Sequence, residues 1–374
     1  MRDPFSTRLI EAFYRRAAKP LLFRADPERV HDRFTAIGRV LASIELTRRA
    51  TRALFRFDDP VLETVVAGIR FANPVGLAAG FDKNAQLWNI LPDVGFGFAE
   101  FGSITGRPCA GNPKPRLWRM PEHEALQVYY GLKNDGAAVI AARLHGVHPR
   151  MPIGVSAAKT NSPETAEPDA AIADYRAVLD AFRDIADYYT VNISCPNAYG
   201  GQPFTDPALL DRLMSAVDTG SYLQPIFVKL SPDLDDAQQD AILEVLDGHR
   251  VHGIVCTNLT KDPRSAGIAP ERVPGRGGIS GRAVQAASEH QLSRIWQRTH
   301  GKYVLVGVGG VFTAEDAYRK IRLGASLVQL ITGMVYRGPQ VIGQINRGLA
   351  ALLRRDGFSS ITEAVGVGVG EKGS

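Results

Sequence analysis

The stretch TVNISCPNAYGGQPF, residues 190–204, begins as an apolar run and breaks into polar residues, a proline and a glycine pair, with Cys195 at the break and Asn192 and Asn197 on either side of it. Similar breaks follow seven other apolar runs: AGFDKN with Lys83, GSITGRP with Ser103, AAKTNSP, KLSPD next to Lys229, TNLT with Thr257 and Asn258, GVGGV with Gly309 and Gly310, and TGMVYRG with Thr332. Glycine, hydroxyl, amide and lysine groups therefore recur at the ends of apolar runs, where packing alone would not call for them. Each fragment alone is weak, since a glycine pair is usually a turn and a lone lysine a solvated end. The glycines of GVGG (307–310), TGMVYRG (332–338) and RGGISGR (276–282) suit a phosphate, because bare backbone N–H groups can approach an anion closely. A phosphorylated cofactor is the expected occupant.

The elements that position these groups follow from the rhythm of the chain. From residue 61, a hairpin-like VLETVVAGIRF leads into eight short apolar runs: 75–79, 98–102, 152–156, 189–194, 225–230, 253–257, 304–308 and 327–331. Amphipathic stretches such as PDAAIADYRAVLDAFRDIADYY separate them and supply the crossovers that parallel strands require. Eight such units predict a closed α/β barrel, the (β/α)8 TIM barrel, with its chemistry at the C-terminal ends of the strands. The expected organisation is an N-terminal helical domain over 1–58, the barrel over 59–356 and a tail over 357–374.

The N-terminal segment is different in character. Residues 1–56 carry 13 Lys+Arg and 6 Asp+Glu, so this segment holds a net +7 while the rest of the chain holds −2. Phe5, Leu9, Phe13 and Ala17 recur every four residues among arginines, which predicts a basic amphipathic helix. A second helix, with Val30, Phe34, Ile37, Leu41 and Ile44 on one face, is predicted to start at an Asp26 N-cap followed by Pro27. The two are either ordinary docked helices or a surface that rests on anionic lipid. Hydrophobic residues at 45% and charged residues at 22% fit a soluble globular chain, and no run of 18 apolar residues exists to span a bilayer. The cysteines, Cys109, Cys195 and Cys256, are odd in number and far apart, without a signal peptide before them; they fit a reducing cytosol and neither a disulfide framework nor a metal site.

In order and spacing, NPVGLAAGFDKN, FGSITGRPCAGNPKPRLWRM, VNISCPN, VKLSPD, GGISGR, VGVGGV and GASLVQLITGM resemble the dihydroorotate dehydrogenase family, over roughly residues 60–350. KPLLFRADPERVH resembles its membrane-associated class, which passes electrons to quinone, whereas SCPN resembles the soluble classes, whose base is cysteine rather than serine. The resemblance implies FMN as cofactor and a ping-pong reaction of pyrimidine biosynthesis: a base takes the C5 proton of dihydroorotate, hydride leaves C6 for the flavin, and a second substrate reoxidises it. It assigns Cys195 as the base; a reference thiol pKa of about 8.5 lies far nearer neutrality than that of a serine hydroxyl. A buried strand-end cysteine is the plainer alternative. Positions that hold FMN match Ala78, Ala79, Gly80, Ser103, Asn192, Lys229, Thr257, Gly281, Gly309, Gly310 and Thr332, with Ile331 in place of a usual aromatic. Lys229 would face the flavin ring as a cation. Substrate positions match Lys83, for a carboxylate, and Asn192, Asn197 and Asn258, for the imide-like edge of the ring.

The departures fall mainly on the substrate side: Val128 where the family has an asparagine, with Gln127 as a neighbour that could reach in, Ser156 for an asparagine, and Leu259 for a hydroxyl residue. The sequence therefore implies dihydroorotate oxidation with quinone as acceptor, peripheral on the cytoplasmic side of the membrane through the N-terminal helices, and no nucleic-acid partner. Quinone access is expected along Phe5, Leu9, Phe13 and Phe34. The alternatives are a related FMN oxidoreductase acting on another cyclic amide or enone, one using a soluble acceptor, or a silent membrane-surface barrel.

Overall fold

A computed structural model describes residues 4–218 and 220–370; the ends of the expected N-terminal unit and tail, 1–3 and 371–374, lie outside the described residues. Eight parallel strands close into a barrel in chain order: Val75–Leu77, Phe98–Ile104, Ile153–Ala157, Tyr188–Asn192, Ile226–Lys229, Gly253–Cys256, Val304–Val308 and Ala325–Leu330. Each lies within or overlaps one of the eight apolar runs. Helices such as Pro168–Ala181, Asp236–Asp247 and Val341–Arg355 cover the outside. Two of the outer helices begin with a reciprocal capping box, Asp235 with Gln238 and Thr313 with Asp316, which satisfies N–H groups the helix itself cannot.

The two-residue period of a strand decides what points inward. At the N-terminal end Phe98, Tyr188, Phe227, Val255, Val306 and Leu327 fill the interior, and Val66 and Phe71 of the hairpin Thr64–Val66/Ile69–Phe71 pack on them as a plug. Two neighbouring strands give way to these rings, for a Cβ at Gly76 would stand 2.3 Å from the Phe98 ring and one at Gly154 2.1 Å from that of Tyr188. Two residues further on along the same strands stand Glu100, Thr190, Lys229, Thr257 and Gln329, so the interior turns from apolar to polar toward the C-terminal mouth.

Three features exceed the sequence expectation. A third N-terminal helix, Glu45–Phe55, follows Pro27–Ser43, while the first runs from Phe5–Phe13 through a π turn at Tyr14–Ala18 into Lys19–Arg24. Asp26 does cap the second, accepting from the Arg29 N–H at 2.9 Å. An antiparallel sheet of Leu117–Met120, Ala125–Val128 and Gly278–Ile279 stands beside the barrel mouth and carries Val128. Beyond the last barrel helix the chain is packed rather than trailing: Ile361 and Ala364 are buried, and the N–H groups of Gly366 and Gly368 bond to the Ile321 and Arg322 carbonyls.

The N-terminal helices are tied down by polar contacts across long sequence separations. Glu28 meets Arg116, Arg52 joins Arg150 on the fully buried Asp93, and the Tyr14 hydroxyl donates to the Val335 carbonyl at 2.7 Å.

Candidate active site

A cavity of about 460 Å³ runs from the barrel mouth to the space between the N-terminal helices. Its inner part is walled by Ala79, Gly80, Lys83, Ser103, Asn192, Cys195, Asn197, Lys229, Asn258, Ile331 and Thr332, so most of the sequence-predicted site residues converge on one space. Ala78, Thr257, Gly281, Gly309 and Gly310, also predicted from the sequence, do not line the cavity. Gly309, Gly310 and Gly281 have φ of 108°, 74° and 85°, a region where side chains are strained, and a Cβ at Gly281 would collide with the Glu124 carbonyl. Ser280, next to Gly281, meets Thr332 at the start of the helix Thr332–Arg337 by a 2.8 Å hydroxyl contact.

The outer part of the cavity is apolar: Leu22, Phe23, Val30, Phe34, Ile37, Leu41 and Phe55 from the N-terminal helices, with Met334 and Val335 facing them. Phe34 therefore stands where the sequence expectation put it. Phe5, Leu9 and Phe13 do not line the passage; they lie outside it, 74%, 59% and 66% exposed, because their helix turns that face away from the barrel.

The polar wall is braced by its own hydrogen bonds. Asn192 Nδ2 donates to Ser103 Oγ at 2.7 Å, and Ser103 meets Ser156 Oγ at 2.9 Å, so Ser156 supports the amide from behind. Asn258 Nδ2 donates to the carbonyl and hydroxyl of Ser194, both at 3.0 Å, which ties the end of strand six to the loop that carries Cys195. Asn197 donates to the Val128 carbonyl at 2.9 Å, leaving its own buried Oδ1 without a partner. Gln127 does not replace the asparagine missing at 128: its amide turns away to the Arg276 carbonyl at 2.8 Å. Val128 and Leu259 give the substrate side of the cavity apolar surface instead.

Two lysines stand in this wall with no hydrogen-bond acceptor among the described residues. Lys229 is 4% exposed, and burial lowers its pKa while Glu100 and Cys195 oppose that shift. Lys83 has its ammonium 4.0 Å from the centre of the Tyr130 ring; burial, and then Lys133, bring it down to about 8. Beside it His31 bonds through Nε2 to the Phe81 carbonyl at 2.8 Å, and burial followed by the Lys83 charge holds the imidazole neutral with a pKa of about 4.

Burial also acts on Cys195, and it works against the thiolate form. Desolvation raises the thiol above its ordinary 9.0, while a backbone hydrogen bond at Asn197 and the charges of Lys159, Lys261 and Lys229 pull the other way without cancelling it. Lys159 was missed as a site residue although it sits in the AAKTNSP break; its ammonium donates to the Tyr199 carbonyl at 2.5 Å and so holds the Cys195 loop. Glu100 was missed as well. Its signal was present, a charged residue in the middle of the apolar run FAEFG.

A closed parallel barrel with braced amides, two ammonium groups unpaired among the described residues and glycine turns at its C-terminal mouth defines an enzyme of the barrel class. The sequence model of the family described as dihydroorotate dehydrogenase matches residues 61–353, and the chain belongs to that flavin-dependent family of oxidoreductases. A protein of Roseiflexus sp. (strain RS-1) named dihydroorotate dehydrogenase (quinone) is 40% identical over 93% of this chain and 97% of its own. One of the same name from Haloarcula marismortui is 41% identical, over 93% and 97%. Among solved structures, dihydroorotate dehydrogenase of Eimeria tenella in complex with ferulenol superposes with a TM-score of 0.80 at 30% identity, covering 91% of this chain and 95% of that one.

Proposed function

We propose that this protein oxidises dihydroorotate to orotate with FMN as its cofactor and delivers the electrons to a quinone, at a membrane surface on its cytoplasmic side. The observation that carries the reading is the single cavity that joins a polar, lysine- and amide-lined floor to an apolar passage between the N-terminal helices. FMN suits the floor: Lys229 offers a buried ammonium without a hydrogen-bond acceptor among the described residues, and the left-handed Gly281, Gly309 and Gly310 are positions that no larger side chain could take. When bound, FMN supplies the two-electron acceptor.

The chain's own residues supply the rest. Lys83 pairs with the substrate carboxylate, which also restores the charge that burial works against. The free Oδ1 of Asn197 accepts from a ring N–H, while Asn192 and Asn258, fixed by Ser103 and Ser194, hold the ring plane. Cys195, as thiolate, takes the C5 proton. The apolar passage admits a quinone and excludes water from the floor. Outside it, the exposed Phe5, Leu9, Phe13 and Leu21 lie on a helix that also carries Arg8, Arg15 and Arg16, a pattern suited to anionic lipid. No helix among the described residues is long and apolar enough to cross a membrane.

The test is anaerobic: the purified protein is yellow, its flavin is FMN by chromatography, dihydroorotate bleaches it, and quinone restores the colour. Val128 and Leu259 favour one second reading, a related cyclic amide or enone as substrate, because a missing hydrogen bond of about 1–3 kcal/mol changes which ring is preferred. Yellow protein left unbleached by dihydroorotate would support that reading.

A further inference from the structure

We propose that Glu100 is a positioning residue for the flavin site: its carboxylate is the counter-charge that keeps Lys229 an ammonium inside the barrel. This rests on the reading that a flavin sits against Lys229. Glu100 is the third residue of a strand whose seven residues are all buried, and is itself 0% exposed. A carboxyl in such a place has to be hydrogen-bonded, and it stays ionised only where a cation balances it.

Only one of its oxygens is provided for. Oε2 accepts from Thr190 Oγ1 at 2.9 Å, Gln329 Nε2 at 3.1 Å and the Tyr188 hydroxyl at 3.4 Å. Oε1 is buried without a partner, and so is Gln329 Oε1. These two acceptors belong to the polar interior that also holds Lys229, whose strand register pairs Thr190 with Phe227 and Asn192 with Lys229, next to the apolar layer of Phe98, Tyr188 and Phe227. The ammonium has three donors, none of them placed. Two unused acceptors and an unused donor group thus share one closed interior, and a neutral side chain would have served Thr190 and Gln329 equally well. What the carboxylate adds is charge.

Two charged or titratable groups act on the Lys229 ammonium, Glu100 from strand two and Cys195 from the loop after strand four, while Thr190, Asn192, Thr257 and Gln329 are the buried neutral residues of the same strand ends. Among them Glu100 leads in opposing the loss of the lysine proton that burial favours. The sign follows: removing the carboxylate lets Lys229 deprotonate at lower pH, and the flavin site loses its cation within the range where the native protein keeps it.

The experiment measures FMN rebinding to the flavin-stripped protein by quenching of flavin fluorescence, from neutral pH toward the ordinary lysine range, for the native protein, Glu100→Gln, Lys229→Met and the double variant. Glu100→Gln is expected to lose affinity by about tenfold or more over a pH span in which the native protein loses little, as a hydrogen bond to a charged group is lost. Lys229→Met is expected to bind weakly without that pH dependence, and the double variant to match it. Superimposable pH profiles for the native protein and Glu100→Gln would overturn the proposal, whereas a native protein that binds no FMN would overturn the flavin reading instead. Melting temperatures of the same four proteins guard against a Glu100→Gln that folds poorly. Lys229→Met strands Glu100, so the double variant is expected to melt above Lys229→Met; if it melts below it, the two residues are not a pair.

Discussion

Glu28→Gln should undock the N-terminal helices, while the Glu28 charge acts on Lys83 of the polar wall only after those of Asp82 and Asp32. Glu28 is the second residue of the helix Pro27–Ser43, which walls the apolar passage, and it is 3% exposed. Arg116, itself 5% exposed, reaches it through Nη2 at 2.8 Å and Nε at 3.1 Å, and the Lys114 and Lys133 ammonium groups stand 3.5 Å away. Burial by itself would raise the Glu28 carboxyl; the Arg116 hydrogen bond and charge, with the two lysines, outweigh it and hold the group at about 2 against an ordinary 4.5. That difference corresponds to about 3 kcal/mol favouring the ionised, docked form, or roughly a hundredfold in the docking equilibrium. The glutamine variant also leaves Arg116 buried without its counter-charge, a change that typically costs about 3–5 kcal/mol. Because the carboxyl is held low, its contribution is complete above pH 4.5 and is lost as pH falls toward 2, so docking in the native protein should weaken over that window and in Glu28→Gln should not depend on it. The assay is paired. Limited proteolysis reads exposure of the 56–60 linker, and quinone-dependent turnover is set against anaerobic bleaching by dihydroorotate. Faster cleavage and a raised quinone KM, with bleaching near normal, are expected. Cleavage rate and quinone KM equal to the native protein's would refute the assignment of Glu28 as the docking residue.

Cys195→Ala should slow flavin reduction by about 10²–10⁴-fold while FMN stays bound, since the flavin rests on other groups; stopped-flow bleaching measures this. Because burial raises the Cys195 thiol, the native rate should climb with pH on the alkaline side and level off only above the ordinary thiol value of 9.0, and Lys159→Met should move the rise higher still. The pH dependence of Cys195 alkylation, followed by mass spectrometry, checks both, and a plateau already reached at neutral pH would contradict them. Lys229→Ala should release FMN on gel filtration where the native protein retains it. Phe5→Glu with Phe13→Glu, at side chains 74% and 66% exposed, should abolish binding to anionic liposomes and leave the melting temperature unchanged.

The sequence by itself determined the barrel, because strands, crossovers and caps are local: a period of two, amphipathic stretches of sufficient length, and Asp26 before Pro27 are all read within a few residues of one another. It also determined the chemical types at the strand ends, since a side chain at the last inward position of a parallel barrel strand can only face the mouth. The charge-rich helix Glu45–Phe55 and the sheet over the mouth escaped because their partners are remote: Asp93 lies 41 residues from Arg52, and Gly278 pairs with Val128. Only the tertiary structure decided the environment of each group. Glu28 finds Arg116 at a separation of 88 residues, the exposed face of Phe5, Leu9 and Phe13 turns away from the passage, and Glu100 comes to share the buried barrel interior with Lys229. For Cys195 the surroundings, too, were invisible in the sequence. The sequence shows a thiol, whose ordinary pKa is a property of the residue, but desolvation and the distances to Lys159, Lys229 and Lys261 come into being only when the barrel closes, and there burial outweighs the three charges.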